Sequence, residues 1–193
     1  MEFILVIAKI TILLTGILFQ GIIVERIIHR KQDNNLFVSF IIGVTIIYSI
    51  ALLGFRLSNI IIYIYIINLV GFVKYRKILM KLRIDKYILL ISLPMVIAIT
   101  FQMIWYWDAV VMWFFHAKVI AYANVFSMNI YTEPVPAHPE YPKLLPILSA
   151  LVSKITSVWN ESLPKTSILY LMFGVFIGFS KVHYFSGKEK RGI

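Results

Sequence analysis

The sequence predicts an all-α fold, a polytopic membrane helical bundle of about five transmembrane helices plus outer juxtamembrane helices, forming a single membrane domain over residues 1–193. Three observations predict it. Of the residues 60% are hydrophobic and only 15% charged, whereas a soluble domain averages about 45–50% and about 25%; one core cannot hide that excess, so it must face lipid. The apolar residues are gathered into runs close to the roughly 20 helical residues that cross a bilayer. The net charge of +10 lies in short clusters between those runs and not on one basic face, which excludes nucleic acid as a partner.

The first run, 3–24, follows Glu2 and not a basic n-region, is longer than an h-region and lacks a small-residue cleavage site, so it reads as a retained span. Spans 36–55, 87–107 and 166–185 are predicted on length alone. The run at 59–75 is shorter, and the stems of Lys74 and Lys77 extend it by snorkelling to the interface. Segment 144–158 is different. It is short, and Ser149, Ser153, Thr156 and Asn160 recur on one stripe of an otherwise apolar helix, the pattern of a helix lying in the interface.

Orientation follows from Lys and Arg near the span ends, which are biased toward the cytoplasm. Segment 73–87 holds Lys74, Arg76, Lys77, Lys81, Arg83 and Lys86, the densest basic cluster in the chain. Placing it inside puts Arg26, Arg30 and Lys31 inside as well and leaves 107–165 outside. With 144–158 in the interface, the tail bearing Lys181, Lys188, Lys190 and Arg191 returns to the cytoplasm; were 144–158 to cross, those charges would lie outside. The rule favours a multi-pass cell-membrane protein with its N-terminus outside and C-terminus inside. The cytoplasmic segments then carry a balance of +9, and the outer segment, with Lys118, Lys143, Lys154 and Lys165 against Asp108, Glu133, Glu140 and Glu161, a balance of zero.

The absence of cysteine excludes disulfides, Cys-ligated zinc, iron–sulfur clusters and a thiol nucleophile. The histidines at 29, 116, 138 and 183 show no metal-ligand spacing, so the residues alone indicate no metal site. Chemistry is therefore sought in the outer segment, which has tryptophans at or within it (Trp105, Trp107, Trp113, Trp159) and six of the seven prolines. Tryptophan favours the membrane–water boundary, and prolines 134, 136, 139, 142 and 146 fix an extended, stiff path that can position side chains.

Asp108 stands first among the candidates. A carboxylate among aromatic residues at the end of a span loses hydration and suits proton transfer; the same residue suits the N-cap of a helix over 109–125. His116 at i+8 can share its side, while Lys118 at i+10 lies toward the other. Both serve either as interfacial polar residues or as phosphate contacts. His138, Glu140 and Lys143 lie on the proline-rich path, which reads either as a solvated rigid loop or as a second carboxylate with a compact cation for phosphate. Gly174 and Gly178 form a small-xxx-small pair that implies close helix packing, and Lys9, Asn68 and Gln102 imply polar contacts between helices.

The run Trp107-Asp108-Ala109, the aromatic helix with His116-Ala-Lys118, and His138-Pro-Glu-Tyr-Pro142 leading into Leu-Leu-Pro146 resemble the first outer loop of GT-C membrane glycosyltransferases. These include protein O-mannosyltransferases (glycosyltransferase 39-like) and the aminoarabinose transferases of lipid A. The resemblance covers 105–185 and implies transfer of a sugar from a polyprenyl-phosphate carrier to an acceptor on the outer face. It implies Asp108 as the catalytic carboxylate, with Lys118, His138, Glu140 and Lys143 binding substrate, and it admits a divalent metal as cofactor. Family members have many more spans, and four spans precede the acidic loop here where many have one. The expectation is thus a truncated or split enzyme, or one completed by a partner membrane chain. The competing class is a non-enzymatic accessory or scaffold protein that binds a lipid carrier or partner.

Overall fold

A computed structural model describes residues 2–29, 35–80, 113–127 and 142–157, together with Pro94 and scattered positions from 159 to 175. Five named helices lie within them: α1 (Glu2–His29), α2 (Leu36–Leu52), α3 (Leu57–Met80), α4 (Phe115–Ala123) and α5 (Leu144–Thr156). Among the described residues there is no strand, only a single antiparallel bridge between Arg56 and Val125.

The hairpin of α1 and α2 is set by small residues. A side chain at Gly21 would collide with the backbone of Ser39, and one at Gly43 with the carbonyl of Ile17, so the two helices meet backbone to backbone, as glycine permits in apolar surroundings. α1 runs past the expected end of the first span and takes Glu25 and Arg26 into the helix. Glu25 explains this extension. Its buried carboxylate accepts a hydrogen bond from the Asn35 amide at 3.0 Å and another from the Ser39 hydroxyl, so it closes the hairpin from within α1. Asn35 in turn caps α2, its side chain accepting from Phe37 N at 3.2 Å.

α2 ends at Leu52, three residues before the predicted limit, because Gly54 takes a left-handed φ of 81° and turns the chain. α3 then returns parallel to α1: Thr15 donates to Asn68 Oδ1 at 2.7 Å, and Arg26 lies 4.9 Å from the centre of the Tyr75 ring. Asn68 Nδ2 also donates to the carbonyl of Ile12 at 2.8 Å and of Ile64 at 3.0 Å. Its polarity inside an apolar run is thus the interhelical contact the sequence implies.

Two helical stretches, Ile4–Ile28 and Leu57–Lys77, are long and apolar enough to cross a membrane. The expected count of five is not reached among the described residues. α2 is apolar but only 17 residues long, 87–107 lies outside them apart from Pro94, and 166–185 is described at intervals as far as Val175. Within that last segment, Gly174 lies directly against the Phe40 ring, leaving no room for a methyl group. This is the close packing expected of the small-xxx-small pair, whose other member, Gly178, lies outside the described residues.

α5 covers most of the predicted segment 144–158 and three of the four residues of its polar stripe, Asn160 lying outside the described residues. Its 13 residues rise about 20 Å, too short to cross, yet its polar stripe does not face water. Ser149, Ser153 and Thr156 are all buried, since the helix is enclosed by α4 and by the α1–α3 bundle. Ser149 Oγ meets Ser167 Oγ at 2.8 Å and Thr156 donates to Val152 O at 2.8 Å. The stripe is an internal seam, which period alone cannot distinguish from a water-facing one.

Candidate functional site

The segment that carries α4 is joined to the α1–α3 bundle by Asn124. α4 ends where Asn124 takes a left-handed φ of 60°, a conformation asparagine tolerates better than most residues. From there its carbonyl accepts from Leu57 N at 2.8 Å, its Oδ1 accepts from Ser58 N at 3.1 Å, and its Nδ2 donates to Ser58 Oγ at 3.0 Å. Leu57 and Ser58 open α3, whose first amides have no partner within the helix. A residue 66 positions away therefore caps α3 and sets where α4 begins its approach to α5.

The start of α5 supplies the second half of the site. Pro146 falls in the first turn, where a missing N–H removes no helical hydrogen bond. Lys143 occupies the cap position, with its carbonyl accepting from Ile147 N at 2.9 Å. The lysine side chain makes no cap; it turns inward to α4, placing Nζ 3.2 Å from His116 Nε2. Lys143 is 4% exposed and His116 1%. Nζ and Nε2 are within hydrogen-bond distance, and which nitrogen donates depends on the tautomer of the imidazole. Both side chains make further contacts besides this one.

Sequence spacing separates these two residues by 27 positions, and the fold makes them neighbours. Lys118 is not part of that contact. It lies on the exposed side of α4 while His116 is buried, as their relative positions on the helix require. Asp108, His138 and Glu140 lie outside the described residues, as does the expected N-cap at 108; the described part of the 109–125 helix enters α4 through Trp113 and Phe114.

The chain matches no protein-family model, no curated protein and no solved structure.

The chemistry is thus read from the side chains themselves. Among the described residues no three His, Asp or Glu side chains converge in a way that could hold a metal ion, so no step is assigned to a metal. What the described part offers is a lysine amine and a histidine ring held together inside the protein, side chains of the kind that bind phosphate oxygens. Lys165, which composition does not separate from Lys118, Lys143 and Lys154, is buried too, two residues before Ser167. Its signal in the sequence is faint, a lysine immediately after a proline at the start of an apolar run.

Proposed function

We propose that this chain is a multi-pass membrane protein that acts on a polyprenyl-phosphate sugar in the manner of GT-C glycosyltransferases, with Lys143 and His116 beside the carrier phosphate. The observation that carries the reading is the buried Lys143–His116 contact, formed from two of the short motifs on which the resemblance rests. The lipid environment is supported by the two apolar helices of spanning length.

The reaction is displacement at the anomeric carbon. The Asp108 carboxylate takes the proton of the acceptor hydroxyl, the acceptor oxygen bonds to the anomeric carbon, and the bond from that carbon to the phosphate oxygen breaks. The leaving polyprenyl phosphate gains negative charge as it departs, which Lys143 offsets from a site shielded from water. His116 is a positioning residue. Through its contact with Nζ at 3.2 Å, it fixes where the end of the lysine side chain is held.

The test uses membranes containing the full chain, supplied with polyprenyl-phosphate sugar and acceptor lipid or protein. Asp108→Asn should lower transfer by about 10²–10⁴-fold with unchanged retention in carbonate-washed membranes. Lys143→Met should lower transfer by about 10²-fold, with Lys143→Arg recovering part of it. Wild-type transfer in both Asp108→Asn and Lys143→Met would overturn the assignment. Donor binding that depends on Lys143, with no transfer in the wild type, would identify a carrier-binding accessory instead.

A further inference from the structure

The opposite end of α3 carries a second feature. Ile62, Tyr65, Ile66, Leu69, Val70, Phe72 and Val73 are all exposed, and their spacing of three and four places them on one face of the helix. Continued by one turn, that face bears Arg76 and Lys77, both exposed, with Lys74 exposed on its flank. Tyr75 points elsewhere: its ring lies under the Arg26 guanidinium at 4.9 Å, which adds a fourth cation to the same end of the bundle. The carboxylate nearest in sequence to Arg26, Glu25, is buried and engaged with Asn35 and Ser39 of the hairpin, so it is turned away from the exposed cations.

We propose that this face of α3 is a binding site for anionic phospholipid, with the acyl chains along Ile62–Val73 and the head-group phosphate at Arg76 and Lys77. The order of the groups is that of the ligand. An apolar stripe rising about 16 Å from Ile62 to Val73 leads directly into two cations on the same face, whose long stems reach the interface. A zwitterionic lipid would satisfy the stripe alone. Cations next to a bilayer surface attract anionic head groups by an amount that grows with each Lys or Arg.

This inference rests on the membrane reading, and the experiment separates the two. The full chain is reconstituted in phosphatidylcholine vesicles containing spin-labelled phosphatidylglycerol or spin-labelled phosphatidylcholine, and the motionally restricted fraction of each probe is measured. Release of the protein by carbonate would refute the membrane reading itself. With the protein retained, the wild type should prefer phosphatidylglycerol, and each cation removed from the R76Q/K77Q pair should reduce that preference by about fivefold at low salt. Charge-preserving R76K/K77R should keep it, and inorganic phosphate should not displace the labelled lipid. If the double variant is not recovered folded, K77Q alone supplies the reading. Equal restriction of the two probes by the wild type, or an unchanged preference in K77Q and R76Q/K77Q, would overturn the proposal.

Discussion

Asn124 and Gln20 make opposite predictions for single side chains. Asn124 closes three hydrogen bonds onto Leu57 and Ser58, two of them through its side chain, so Asn124→Ala should destabilise the chain by about 1–2 kcal/mol in reversible detergent unfolding. Asn124→Gly keeps the left-handed backbone and loses only the side-chain bonds, so it should fall between alanine and wild type. Gln20 is buried in α1 and, among the described residues, neither of its amide atoms has a hydrogen-bond partner. Gln20→Leu should therefore stabilise the chain by about 1–3 kcal/mol, and a lower unfolding midpoint would show that the amide is satisfied in the membrane. Asn68 was legible in the sequence, being a lone amide in an apolar run. Asn124 was not, because its partners lie 66 positions away and nothing in its own neighbourhood marks it as a cap.

At the scale of elements, hydropathy located α1, α2 and α3 but missed where each stops. α1 and α3 run beyond their apolar runs, to His29 and Met80, with Glu25 of α1 held by Ser39 and Tyr75 of α3 held by Arg26. α2 stops early because of one glycine with positive φ. The inside of the hairpin should be the least tolerant surface: Gly21→Val places a branched side chain where the Ser39 backbone passes and should lower the unfolding midpoint far more than Ile62→Val on the exposed face of α3. Overpacking typically costs about 1–3 kcal/mol, and a backbone obstacle yields less readily than a side chain. For α5, the same serine and threonine spacing fits water or protein equally well. Only the elements packed around it decide, and those come from distant parts of the chain.

Across the whole molecule, Arg26 of α1 and the cations of α3 gather at one end of the bundle, while Arg56 and Asn124 mark the other. The positive-inside reading would put the Arg26 end in the cytoplasm, and that orientation has a direct test. The native chain contains no cysteine, so a cysteine introduced at Gly187 should react with an impermeant maleimide only from the cytoplasmic side, and one at Gly54 only from outside. Labelling of both from the same side would reverse the arrangement of α2 and α3 or add a crossing near 144–158. Of the candidate site, Lys143 could be found from its motif, whereas its contact with His116 required the turn at Asn124 and the start of α5 to be in place. Lys118, Lys143, Lys154 and Lys165 look alike in composition; burial separates Lys143 and Lys165 from Lys118.

The cap on α3 also has a consequence for biogenesis. Ser58 leaves the ribosome 66 residues before the asparagine that satisfies its amide, an interval of about 3–13 s at ordinary elongation rates. During that time the first amides of α3 lack the partner that Asn124 supplies and are left to water or lipid head groups, until the chain through residue 124 has been translated. A chain arrested at residue 110 should show rapid amide hydrogen exchange at Leu57 and Ser58, and release to full length should slow it. Slow exchange at those amides in the arrested chain would show that another group fills the role first.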